Sequence, residues 1–326
     1  MKKIIAVIAA LAAVLGLAFG CAGGGTGKLK VYASFYTVYD AVAKIGGDKV
    51  EAVNLLPTGG DGHHWEPSSA EVASLLRADA FFYSGEGMEH WVEDFLDMDD
   101  AKNLFTVQTS AGMQLITKDG GSHNSDHEHD GDDGDDHEHD DDHVHSENGD
   151  PHVWLSPANY KIMLANVRDA LSQADTDNAD YYAENYEHYA AQADALHQEF
   201  LQGLDGYVKR DIVVSHRAYG YLCRDYTLTQ HSVSGLTTES EPSPAAMAEI
   251  VRLIDEKGIR VIFFEGPASE AVAQTLAAET DIEIAFLSPL ESLTQAQAAA
   301  GGDYFSVMRQ NLAAIKSALE QLNAVQ

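Results

Sequence analysis

Positive charge is what this chain lacks most. Its 326 residues carry 20 Lys and Arg against 52 Asp and Glu, for a formal net charge of −32. No basic stripe exists to neutralise phosphates, so nucleic acid is excluded as a partner. An anionic membrane surface would repel such a chain, so membrane attachment has to come through a covalent lipid or another protein. Cysteine is almost absent too, with only Cys21 and Cys223 present. The neighbours Tyr221, Leu222 and Tyr226 suggest that Cys223 is a buried, inert thiol with no base poised to activate it. No His-Glu-x-x-His helix and no Ser or Cys nucleophile motif occurs, which argues against a zinc hydrolase.

A long apolar run is missing as well. The apolar stretch over residues 4–19 falls short of the roughly 20 residues that a spanning helix needs. Preceded by Lys2 and Lys3, it reads as an export signal over 1–20. Gly20-Cys21 and a Gly-rich linker through residue 27 follow it. A lone Cys at the end of an apolar signal resembles a bacterial lipoprotein site, which implies acylation of Cys21 and an anchor that does not span the bilayer. Cys223 then has nothing to pair with, and no internal disulfide is expected.

What the chain has in excess is acid and histidine. Residues 119–150 hold fourteen acids, seven histidines and no Lys or Arg. Too little apolar surface is present there to offset the entropy of ordering, so a mobile loop is expected. An acidic run alone reads as a solvated linker. Interleaved with His123, His127, His129, His137, His139, His143 and His145, it reads instead as a weak metal-collecting loop, because neutral imidazole is a common ligand for zinc and its neighbours.

The remainder is globular in composition, with 45% hydrophobic residues and length enough for two domains. Strand and helix signals alternate. Strands are expected over 29–34, 50–56 and 80–83, with helices to residue 45, through 76 from a cap at Ser68 or Ser69, and over 88–96. Helices over 157–174 and 178–204 follow the acidic loop. In the second, Tyr182, Tyr186, Tyr189, Ala193, Leu196 and Phe200 fall at spacings of three and four, one stripe on a helix roughly 40 Å long. Such a stripe is read as core packing and not as a ligand groove. The alternation then resumes with strands over 211–215, 228–233, 260–265 and 283–287, and helices over 244–257, 268–280 and 304–322. The expected fold class is α/β: two βα lobes with parallel sheets joined by a long bridging helix. The boundaries drawn are 28–175 for the first lobe, 176–204 for the bridge and 205–326 for the second lobe.

Eight histidines lie outside the acidic loop. His63 and His216 follow strands and His152 precedes a helix, positions that meet beyond the carboxyl ends of an open sheet. His90, His188, His197 and His231 fall within helices or a strand and are read as surface or packing positions.

Five segments carry a resemblance. Gly62-His63-His64-Trp65-Glu66-Pro67, Gly85-Glu86-Gly87-Met88-Glu89, Asp150-Pro151-His152-Val153-Trp154-Leu155, Ser215-His216 and residues 287–294 resemble, in that order, the zinc-binding receptor lipoproteins of ABC-type metal importers. The resemblance implies one metal between the lobes, held by His63, His152, His216 and Glu291. His63 is preferred to His64 because the motif places the ligand three before the Glu of Glu-Pro. Some relatives carry an acid at the position of Ser288; a hydroxyl is a poor ligand, so the fourth role falls to Glu291. Three imidazoles and one carboxylate suit Zn²⁺, with Mn²⁺ the lesser expectation. Glu66 and Glu265 are either outer hydrogen-bond partners of the ligand imidazoles or plain surface acids. The implied partners are an ABC-type permease and its ATPase. The implied state is a monomer held outside the cytoplasmic membrane through Cys21. A zinc hydrolase and a metal-dependent surface adhesin are the alternatives.

Overall fold

The computed structural model describes residues 27–85, 87–116, 149–235, 243–280 and 282–324. The signal over 1–20, Cys21 and the loop histidines His123, His127, His129, His137, His139, His143 and His145 lie outside the described residues. So does Glu86 of the second motif.

Strands β1 (Leu29–Ala33), β2 (Val50–Asn54), β3 (Ala80–Tyr83) and β4 (Phe105–Gln108) form a parallel sheet in the order β2-β1-β3-β4. Strands β5 (Asp211–Val214), β6 (Thr229–Ser232), β7 (Val261–Phe264) and β8 (Glu283–Phe286) form a second parallel sheet with the same connectivity, β6-β5-β7-β8. Helices α1 (Tyr36–Gly46), α2 (Ser69–Leu75) and α3 (Trp91–Asp97) connect the first sheet. Helices α6 (Gly220–Tyr226), α7 (Pro244–Lys257) and α8 (Pro267–Thr280) connect the second. Parallel strands need such crossovers, which leave both faces of each sheet covered.

Strand period decides which side chains go to which face. Val31 and Ala33 of β1, with Ala80 and Phe82 of β3, join the main core. Tyr32 and Phe81, one residue out of phase, join a smaller cluster with Trp91, Val92 and Phe95 on the opposite face. Local capping sets several boundaries. Ser68 caps α2 in a reciprocal box with Glu71. Gly258 ends α7 at φ 70°, a conformation that L side chains avoid.

Helices α4 (Pro157–Ala174) and α5 (Ala179–Gly203) lie between the sheets in sequence, and α9 (Gln295–Ala299) and α10 (Tyr304–Ala324) close the chain. Helix α5 packs against α1 and α4 and also against α10, so it bridges the lobes. Its stripe differs from the expected one. Tyr182, Ala193, Leu196 and Phe200 are buried, but Tyr186 and Tyr189 are only half-buried. Arg168 lies 4.3 Å over the Tyr186 ring and Lys44 5.6 Å over Tyr189, so these two rings meet cations at the rim of the core. Strand β4 and helix α6 have no counterpart in the expected elements. Each is short, and β4 is an edge strand of half-buried residues paired on one side only.

Candidate metal centre

Four loops supply the candidate donors. His63 lies in the turn after β2, where Asp61 Oδ1 accepts its backbone N–H at 2.9 Å and Gly59 N donates to the Leu293 carbonyl of the second lobe. His152 precedes a single 3₁₀ turn, Val153–Leu155. His216 follows β5, and Glu291 follows β8. All four side chains are buried: His63 is 4% exposed, His152 0%, His216 1% and Glu291 6%.

Their donor atoms converge. His63 Nε2 lies 3.0 Å from His152 Nε2, which lies 3.3 Å from His216 Nε2. Glu291 Oε1 caps the three nitrogens at 3.6, 3.8 and 3.9 Å. A tetrahedral zinc with bonds near 2.0–2.1 Å has ligand-to-ligand edges of roughly 3.4 Å, within the span of these separations. Among the described residues this is the one group of three or more His, Cys, Asp or Glu donors placed so closely.

Two of the imidazoles are gripped from behind. Asp150 Oδ1 accepts from both the backbone N–H of His152, at 3.0 Å, and its Nδ1, at 2.8 Å. Glu265 Oε2 hydrogen-bonds His216 Nδ1. A carboxylate on Nδ1 fixes the tautomer, leaves the Nε2 lone pair for the ion and makes it more basic. His63 Nδ1 is buried with no hydrogen-bond partner. Of the two acids weighed in sequence, Glu265 therefore lies behind a donor and Glu66 stands exposed. Asp150 was missed as an outer partner. The signal available for it was an acid two residues before a histidine, the spacing at which Asp bonds the backbone ahead of it.

Burial sets the protonation of the group. It pushes His63 and His152 well below the ordinary imidazole value, helped by the neighbouring imidazole charges. It opposes charge on His216 as well, but Glu265 outweighs it and raises that imidazole to about 9. Desolvation lifts Glu291 to about 7, against the pull of His216, and lifts Asp150 to about 7. His216 is thus the imidazole from which an arriving cation must displace a proton.

The other histidines lie apart from this cluster. His64 sits at the surface with Nδ1 3.0 Å from Asp61 Oδ2. His90 is exposed, His188 pairs with Gln192, His197 with Tyr226 and His231 with Asp211. Ser288 is buried, and its hydroxyl accepts from Leu290 N at 3.2 Å within its own turn. Cys223 is buried, and desolvation pushes its thiol up, away from a reactive thiolate.

Comparison with known proteins places this geometry. The family model described as "Zinc-uptake complex component A periplasmic" (ZnuA) matches residues 31–318. The zinc-binding lipoprotein AdcA of Streptococcus pneumoniae is 36% identical over 321 residues, 98% of this chain and 62% of AdcA. This chain therefore spans about three fifths of the length of that relative. The high-affinity zinc uptake system protein ZnuA of Bacillus subtilis is 34% identical over 92% of this chain and 90% of its own. Among solved structures, the Zn(II)-bound ZnuA-like domain of S. pneumoniae AdcA superposes with a TM-score of 0.74 at 33% identity, covering 90% of this chain and all of that one.

Proposed function

The chain belongs to the ZnuA zinc-uptake family, and from that premise we propose that it captures zinc outside the cytoplasmic membrane and passes it to an ABC-type permease driven by its ATPase. One observation carries the reading: three Nε2 atoms and one carboxylate oxygen from four loops meet at the spacing of a zinc tetrahedron. His63, His152, His216 and Glu291 are the ligands in this reading, and Asp150 and Glu265 hold two of the imidazoles in register.

The donor set favours holding the ion over chemistry on it. A catalytic zinc keeps one position open for water, and four protein donors around a tetrahedral ion leave none. In this reading the protein is a receptor and not a hydrolase. Manganese prefers more oxygen donors than one carboxylate provides. No helix among the described residues is long and apolar enough to cross a membrane. Attachment through acylated Cys21 suits a receptor that must stay near its permease, and the AdcA relative is itself a lipoprotein. The lobes in this reading run over 28–175 and 205–326, with 176–204 between them, and the receptor acts as a monomer.

Calorimetric titration with Zn²⁺ and with Mn²⁺ tests the proposal. One tight zinc site per chain, lost on replacing the cleft donors and bound more weakly by manganese, is the expected result. Tight zinc binding that survives removal of His152 and His216 together would refute it.

A further inference from the structure

Glu291 is buried, yet its two oxygens have different occupations. Oε1 faces the imidazoles, while Oε2 accepts a hydrogen bond from the backbone N–H of Gly62 at 3.0 Å. The carboxylate has little freedom to exchange these roles, because the chain that carries it is fastened to the opposite lobe. Tyr36 N donates to the Glu291 carbonyl at 3.0 Å, Thr37 Oγ1 to the Leu290 carbonyl at 2.6 Å, and Ser292 Oγ to the Gly60 carbonyl at 2.8 Å. Leu290 itself stands at φ 58°, which a non-glycine residue keeps only where its surroundings dictate it.

Position 62 is shaped for this contact. A Cβ there would lie 2.5 Å from Met88 Cε and 3.3 Å from Glu291 Oε2. Glycine lets the backbone come in under the carboxylate. The N–H then arrives with no side chain beside it.

We propose that the backbone N–H at position 62 sets metal choice: it holds Oε2 off the ion and limits Glu291 to one donor oxygen. The inference rests on the cleft being the zinc site. A carboxylate free to bind through both oxygens would bring a fifth donor and a more oxygen-rich shell. Zinc accepts four donors in a tetrahedron, whereas manganese is drawn to higher, oxygen-rich coordination. The hydrogen bond therefore selects by withholding a donor, a penalty on the wrong ion that costs the right one nothing.

The test uses the whole chain loaded with Co²⁺ or Zn²⁺ alone. The d–d spectrum of bound Co²⁺, which weakens as donors are added, and X-ray absorption at the zinc edge count the donors directly. The wild-type protein should show four. Gly62→Pro deletes the N–H, while Gly62→Ala keeps it and asks the terminal methyl of Met88 to move and Glu291 Oε2, 3.3 Å away, to give by a few tenths of an ångström. The proline variant should show a five-donor spectrum and lose roughly tenfold or more of its zinc-over-manganese preference, the worth of one hydrogen bond to a charged group. The alanine variant should keep both the spectrum and the preference. A five-donor shell in the wild-type protein overturns the proposal with no variant needed, which covers the case of a proline chain that does not fold. A folded proline variant with unchanged spectrum and preference overturns it too, as does an alanine variant that loses as much as proline. A wild-type chain that takes up neither ion in the cleft sinks the receptor reading itself, a different outcome from five donors.

Discussion

Glu265→Gln keeps the shape of the side chain behind His216 and removes its charge. Both partners are nearly sealed from solvent, with side-chain exposures of 7% and 1%, so salt screens the pair little. Two effects then oppose each other. A charged partner on Nδ1 orients the ring and makes Nε2 a stronger donor, and losing such a partner weakens metal binding roughly 10–100-fold. The same charge makes the proton a stronger competitor. Burial alone would lower the His216 pKa, but Glu265 raises it to about 9. At pH 7 only about one imidazole in a hundred is then neutral, so zinc must displace a proton to bind. Without the carboxylate, burial pulls the imidazole down against only Glu291 and Asp61, and this competition weakens at neutral pH. At pH 9.5, where His216 is neutral in both proteins, the variant should bind zinc roughly 10–100-fold more weakly. At pH 7 the deficit should vanish or reverse, because the variant escapes most of the roughly hundredfold proton competition that the wild type meets. Glu291 titrates at about 7 and feels both His216 and Glu265, so the comparison at pH 9.5, where it is ionised in both proteins, isolates the effect on ligand strength. Stability without zinc has a matching sign: a raised folded pKa stabilises fully below the unfolded value of about 6.5, and the gain is lost as pH rises through about 9. Chelator competition at pH 7, 8 and 9.5, with thermal melts of the metal-free protein, measures both. An equal loss of affinity at every pH would show that Glu265 only orients the ring, and no loss at pH 9.5 would show that it does not support the ligand at all.

Three further outcomes are expected. His216→Ala should weaken tight zinc binding by more than roughly the 10–100-fold typical of an outer partner, whereas His64→Ala, at the surface beside Asp61, should change it little; equal calorimetric losses would refute the choice of His63 over His64. Glu291→Gln should weaken zinc binding far more than Ser288→Ala, whose main effect should be a small drop in melting temperature from the lost Leu290 hydrogen bond; the reverse order would move the fourth ligand to Ser288. Deleting residues 120–148 should abolish the weak, multi-metal phase of a zinc titration, which its seven histidines supply in this reading, and leave one tight site. Loss of the tight phase along with the loop would place the site in the loop.

The sequence by itself determined the architecture and named the candidate donors. Alternation of period-two and period-3.6 segments is local, and so are the Ser68–Glu71 box and the Gly258 stop; each can be read from a few adjacent residues. Strand β4 escaped that reading because its half-buried edge residues form no apolar run, and helix α6 because no side-chain cap marks its start. The donors were legible as residue types in a recognisable order. What they do to one another was decided by tertiary structure alone. His216 meets Glu265 across 49 residues, Gly62 meets Glu291 across 229, and Tyr36 meets the Glu291 peptide from the other lobe. These contacts separate a histidine raised to about 9 from two that are depressed, and a one-oxygen carboxylate from a free one. No local pattern encodes them, because each depends on where strand ends distant in sequence are brought together, within one sheet or between the two, and that placement follows from burying apolar surface throughout the chain.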